Sequence, residues 1–197
     1  MSARGVLVGA AVAALEFTVW RAELFTVSRP GERPRALELI APGMRAQSEF
    51  DVTLPAVPVG MERLTPGSGV LVLHYWAPWE RHGLLQAQLL DSLRRSEELG
   101  GLRVVVVCFD PFPSVARFVG RNRLRLPVLL DGRRQLRGPL PCPSLPYTYV
   151  IDAAGRIAVT QPGEVDWLAP GTREALRELL IEQEEARTRR GAISSGT

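Results

Sequence analysis

The stretch Val70-Leu71-Val72-Leu73-His74-Tyr75-Trp76-Ala77-Pro78-Trp79-Glu80-Arg81-His82-Gly83 joins a strand pattern to a helix pattern with almost nothing between them. Its first six residues form an unbroken run of β-formers, as in a strand buried on both faces. Residues 84–99 follow with leucines at 85, 89 and 93, a helical spacing, and Gly100-Gly101 supplies the stop. A buried strand feeding straight into a helix opens an α/β layer structure.

Working outward, residues 102–109 contain Val104-Val105-Val106-Val107-Cys108 and read as a second buried strand. A shorter helix over 115–119 follows Pro113-Ser114. Residues 147–151 form a third strand, 152–155 a turn and 156–160 a fourth strand. The closing helix covers 172–190, with Glu174 in its first turn and Arg187, Arg189 and Arg190 in its last, charges that complement the helix dipole. Upstream, 50–57 and 60–64 form a strand or hairpin leading into the domain. The order predicts an α/β sandwich with a mixed sheet, its parallel strands joined by right-handed crossovers.

The chain's 197 residues suffice for one well-buried domain plus an extension, not for two ordinary domains. At 46% apolar residues a core is expected rather than disorder. All 24 basic residues are arginine, scattered along the chain, and the net charge is only +3. A nucleic-acid partner would want a clustered basic face, so that class is set aside. Residues 28–45 read as a Pro/Gly-rich linker, 46–190 as the domain and 191–197 as a disordered tail. Residues 1–27 form an apolar N-terminal segment in which Glu16 interrupts the run before the 20 or so residues that a membrane span needs. Signal peptide, anchor and helix of a soluble protein all stay open. The expectation is a cell-envelope protein, periplasmic or membrane-anchored, ahead of a cytoplasmic one, with membrane association possible through this segment.

Residues 74–83 resemble the active-site segment of TlpA/ResA-type thioredoxin-like proteins, in which a buried strand runs into aromatic-Trp-Ala-x-Trp and then Cys-x-x-Cys opening a helix. Trp76, Ala77 and Trp79 match; Glu80 stands at the first cysteine position and Gly83 at the second. Leu145-Pro146-Tyr147-Thr148-Tyr149-Val150-Ile151-Asp152 is similar to the family's cis-proline loop and following strand, with Gly155-Arg156-Ile157 as the hairpin after it. Gly163-Glu164-Val165-Asp166-Trp167 resembles the segment before the last helix, and Phe50-Asp51-Val52-Thr53-Leu54-Pro55 the leading hairpin. The resemblance implies a thioredoxin-like three-layer sandwich with a mixed central sheet, behind the apolar segment and linker. It also implies a thiol-disulfide oxidoreductase ancestry.

Thiol–disulfide exchange needs a thiolate nucleophile and a second thiol to resolve the mixed disulfide. A carboxylate at 80 and a glycine at 83 supply neither. Cys108 and Cys142 are the remaining thiols, and their spacing is neither a metal knuckle nor a redox pair. By the family's strand order the strand carrying His74 lies between them, about 10 Å apart in all and beyond disulfide reach. His74, Glu80, His82 and Cys108 lack metal-site spacing, so neither metal nor cofactor is expected. A Glu80/His82 acid–base pair is conceivable, but residues two apart at a helix start point in different directions. Two readings of Pro146 stay open: it shapes the loop, or it faces a groove for an extended peptide, with Trp79, His82 and Tyr147 as further binding residues. The expected function is therefore a non-catalytic module that binds a protein or extended peptide. The alternative is an atypical oxidoreductase using Cys108, Cys142 or both.

Overall fold

The computed structural model describes residues 26–27, 33–58 and 60–194. The apolar run expected near the N-terminus lies outside these residues. Among the described residues, no helix is long and apolar enough to cross a membrane.

The strands are β1 (Thr26–Val27), β2 (Val52–Val57), β3 (Met61–Leu64), β4 (Leu71–Tyr75), β5 (Arg103–Cys108), β6 (Val128–Leu130), β7 (Ser144–Leu145), β8 (Tyr147–Ile151) and β9 (Ile157–Pro162). The helices are α1 (Gly83–Arg94), α2 (Phe112–Asn122) and α3 (Pro170–Ser194). Seven strands form one mixed sheet in the order β3-β2-β6-β5-β4-β8-β9. Within it β4, β5 and β6 are parallel, while β8, β9, β2 and β3 add on antiparallel. Every residue of β4 is buried, which explains its unbroken apolar run.

Strand alternation sends Val72, Val104, Val106, Cys108 and Val150 to one face, where all three helices pack. Leu73, Tyr75, Val105, Val107, Tyr149 and Ile151 face the other way. That second face is covered without a long helix, by the turn of 3₁₀-helix at Gln135–Arg137 and the adjoining loop, through Leu136, Leu140 and Leu145. The third layer of the sandwich is therefore thin.

Several boundaries differ from the sequence expectation. The first helix ends at Arg94, because Ser96 turns extended (ψ 123°) and only a 3₁₀ turn, Glu97–Leu99, precedes the glycines. The second begins three residues earlier than expected, with a proline in its first turn, where a missing N–H does no harm. β6 was not anticipated: three residues after Pro127 are too short to show a period, and the strand exists because β5 and β2 flank it. The closing helix runs on to Ser194, so the expected tail is helical for its first four residues.

Residues 33–45, expected as linker, are bound to the domain. Ile40 N–H donates to Ala158 O (2.8 Å), Leu37 N–H to Thr172 Oγ1 (3.1 Å), and the Leu37 side chain is buried among the helices. Arg45, 7% exposed, holds Asp152 in the β8–β9 turn (3.1 Å) and also pairs with Glu182 of α3. Proline and glycine marked irregular backbone there, but irregular backbone carrying leucines and an ion pair still docks.

Candidate functional site

At the end of β4 the Trp76 N–H donates to Val107 O (2.9 Å), so the chain follows β5 for one more residue. It then turns: Glu80 N–H bonds to Ala77 O (3.2 Å), Gly83 N–H to Glu80 O (3.0 Å), and Gln86 N–H to His82 O (2.9 Å) opens α1. The Trp76 indole is wholly buried, lies edge-on to Phe118 and donates from Nε1 to Gly83 O (2.7 Å). This bond folds the indole over the first residue of the helix. A Cβ on Gly83 would stand 2.7 Å from Ala77 O and 2.8 Å from Trp76 Nε1, distances that real Cβ atoms do not show. Any side chain at 83 therefore requires the Ala77 carbonyl and the Trp76 indole to shift.

Glu80 sits in the turn ahead of α1. Its Oε2 is buried and makes no hydrogen bond. Burial, and secondarily the Glu164 carboxylate, pushes its carboxyl up to about 8. Glu80 and His82 do not pair. His82 Nδ1 instead lies 2.6 Å from Glu164 Oε1, a hydrogen bond tying the helix start to the loop after β9. Glu164 thus belongs to the site without having been singled out as a site residue. No local pattern marks it, since 82 positions separate it from His82.

The third segment at this rim is the loop into β8. The Leu145–Pro146 peptide is cis, and Pro146 O accepts from Gly163 N–H (2.9 Å). Tyr147 opens β8 opposite Tyr75 on one side and Pro162 on the other. It lines a cavity of about 440 Å³ together with Phe109, Arg134, Cys142 and Tyr149. The Arg134 guanidinium lies 4.5 Å above the Phe109 ring, on a backbone held left-handed (φ 54°). Trp79 does not share this cavity; it borders a separate hollow with Pro78, Leu84 and Phe118.

The two thiols are kept apart by the sheet itself. Cys108 is fully buried on the helix-covered face, while Cys142, half-buried, packs on the opposite face and donates to Ser144 O (3.0 Å). Both are free. Burial, countered in part by Arg134, pushes the Cys142 thiol up to about 12. His74 is a core residue: it is fully buried, its Nδ1 is 2.9 Å from Thr148 Oγ1, and burial drives it down to about 3. Among the described residues, no cluster of His, Cys, Asp or Glu could hold a metal ion.

No protein-family model and no curated protein matches the chain. Solved structures do. A secreted thiol-disulfide isomerase of Corynebacterium glutamicum aligns at TM-score 0.59 and 18% identity, over 80% of this chain and 98% of that one. A DsbF homologue of Corynebacterium diphtheriae aligns at 0.56 and 22%, over 80% and 98%. The exposed lipoprotein thioredoxin of Streptococcus pneumoniae aligns at 0.55 and 23%, over 68% and 99%. The fold is thioredoxin-like, an architecture this chain shares with thiol-disulfide oxidoreductases.

Proposed function

We propose that this chain is a TlpA/ResA-type thioredoxin-fold protein in which Glu80-Arg81-His82-Gly83 stands in place of Cys-x-x-Cys, and that it binds a protein or extended peptide without thiol chemistry. The observation that carries this reading is the closure of position 83: the Ala77 carbonyl and Trp76 indole fill the space that a resolving cysteine's Cβ would need. The other thiols do not substitute. Exchange needs a thiolate and a nearby second thiol, whereas Cys142 is driven to its neutral form and Cys108 lies across the sheet. What supports binding is the rim beside Pro146, where the short strand β7, outside the main sheet, adjoins the cavity bordered by Tyr147.

The test is dithiothreitol-driven reduction of insulin by the full chain. A rate equal to that of dithiothreitol alone is expected. Acceleration that disappears in C142S would overturn the reading and make Cys142, beside the same rim, the nucleophile of an atypical oxidoreductase.

A further inference from the structure

The strand β7 stands outside the seven-stranded sheet, and among the described residues it pairs with β1: Thr26 lies opposite Ser144 and Val27 opposite Leu145, in parallel. Pro143 and Pro146 bracket the two residues of β7. Neither proline has an N–H to donate, so the strip cannot grow into a longer edge. Leu145 is buried beneath it and Pro146 O is tied to Gly163, which hold the strip in place. It is a fixed two-residue acceptor for one added strand, at the rim described above.

We infer that Thr26–Val27 is a resident occupant of this acceptor, so that a partner strand reaches β7 only by displacing it. The inference rests on the peptide-binding reading and adds its regulation. Two observations carry it beyond the pairing itself. First, the chain returns to the same rim at Arg35, whose N–H donates to Glu164 O (3.2 Å) and whose carbonyl accepts from Asp166 N–H (2.8 Å). Gly163, next to Glu164, is the residue bonded to Pro146. The tether's fixed end is therefore on the segment that holds the acceptor. Second, only residues 28–34 separate β1 from that anchor. A link this short gives a tethered strand an effective concentration in the millimolar range. An outside strand binds only the fraction of molecules in which β1 has left, so its apparent affinity falls by that fraction. Main-chain pairing asks little of side-chain identity, and it accommodates the own strand and a foreign one alike.

The test uses the full chain and two double variants. T26P/V27P removes both N–H groups from the occupant, and T26S/V27I keeps them. Amide exchange at Ser144 and Leu145 is followed by NMR, and a fluorescent peptide of residues 22–31 is added in trans and followed by anisotropy. The expected result is exchange about tenfold or more faster in T26P/V27P than in the native chain or T26S/V27I, because β7 loses its partner. The peptide is then expected to bind T26P/V27P at least about tenfold more tightly than the native chain. Equal exchange at both amides in all three proteins overturns the inference, and so does measurable peptide binding of equal affinity in all three. Faster exchange with no peptide bound to any of them upholds the resident strand and defeats the peptide-binding reading instead. A near-UV circular dichroism spectrum shared by the three proteins shows that the core is intact.

Discussion

Gly83 has no side chain, and the Trp76 indole and Ala77 carbonyl have closed over it. A methyl group there must push aside either backbone or a buried ring, so Gly83→Ala should lower stability by about 1–3 kcal/mol, the usual range for overpacking. Urea denaturation of the variant checks this, and an unchanged midpoint would show that the turn yields freely. Glu80 sets a pH dependence. Its carboxyl holds its proton up to about pH 8 in the folded chain against an ordinary 4.5, because it is buried and faces Glu164. Between those values the folded state binds more protons than the unfolded one, so this residue's contribution to stability falls as pH rises through the window. Glu80→Gln should flatten that decline. Urea midpoints measured from pH 4 to 9 on both proteins give the comparison, and parallel curves would contradict it.

At the scale of elements, residues 33–45 are held by backbone bonds to β9 and the loop after it, and by Arg45. Arg45 reaches two elements at once, the β8–β9 turn through Asp152 and α3 through Glu182. Asp152 is 2% exposed; despite the opposing effect of burial, bonds from Arg156 and Arg45 hold its carboxyl below the usual carboxylate range. Removing the guanidinium leaves a buried carboxylate with one cation fewer, which costs about 3–5 kcal/mol when a buried pair is broken. Arg156 still bonds Asp152, so Arg45→Ala should lie at the lower end, near 3 kcal/mol. Glu182→Gln should cost less, since that carboxylate is partly exposed and its loss strands no anion. Equilibrium unfolding of both variants tests the order, and E182Q proving the more damaging would refute it.

For the whole molecule, the sheet decides what the cysteines can do. Cys108 and Cys142 pack on its opposite faces, and a disulfide needs Cα atoms within about 7 Å. Treatment of the native protein with diamide should therefore produce no internal disulfide, while the protein unfolded in urea should form one. Mass spectrometry reads this directly, and a loss of two hydrogens under native conditions would mean that the loop carrying Cys142 rearranges.

The layered architecture was open to reading from the chain alone, because β4 and β5 are buried on both faces and such strands show as unbroken apolar runs. The motif after β4 also located the turn ahead of α1 and the emptiness of position 83, since a missing side chain is a fact of sequence. The crowding around Gly83 was not legible, nor was the His82–Glu164 bond, the cavity under Tyr147 or the placing of the cysteines across the sheet. The first depends on how the turn and the indole fold back over the helix start, and the others join residues that lie far apart along the chain; no local period records such meetings. The short strands β6 and β7 escaped for the same reason: two or three residues carry no pattern of their own, and they are strands only because tertiary structure brings a partner alongside.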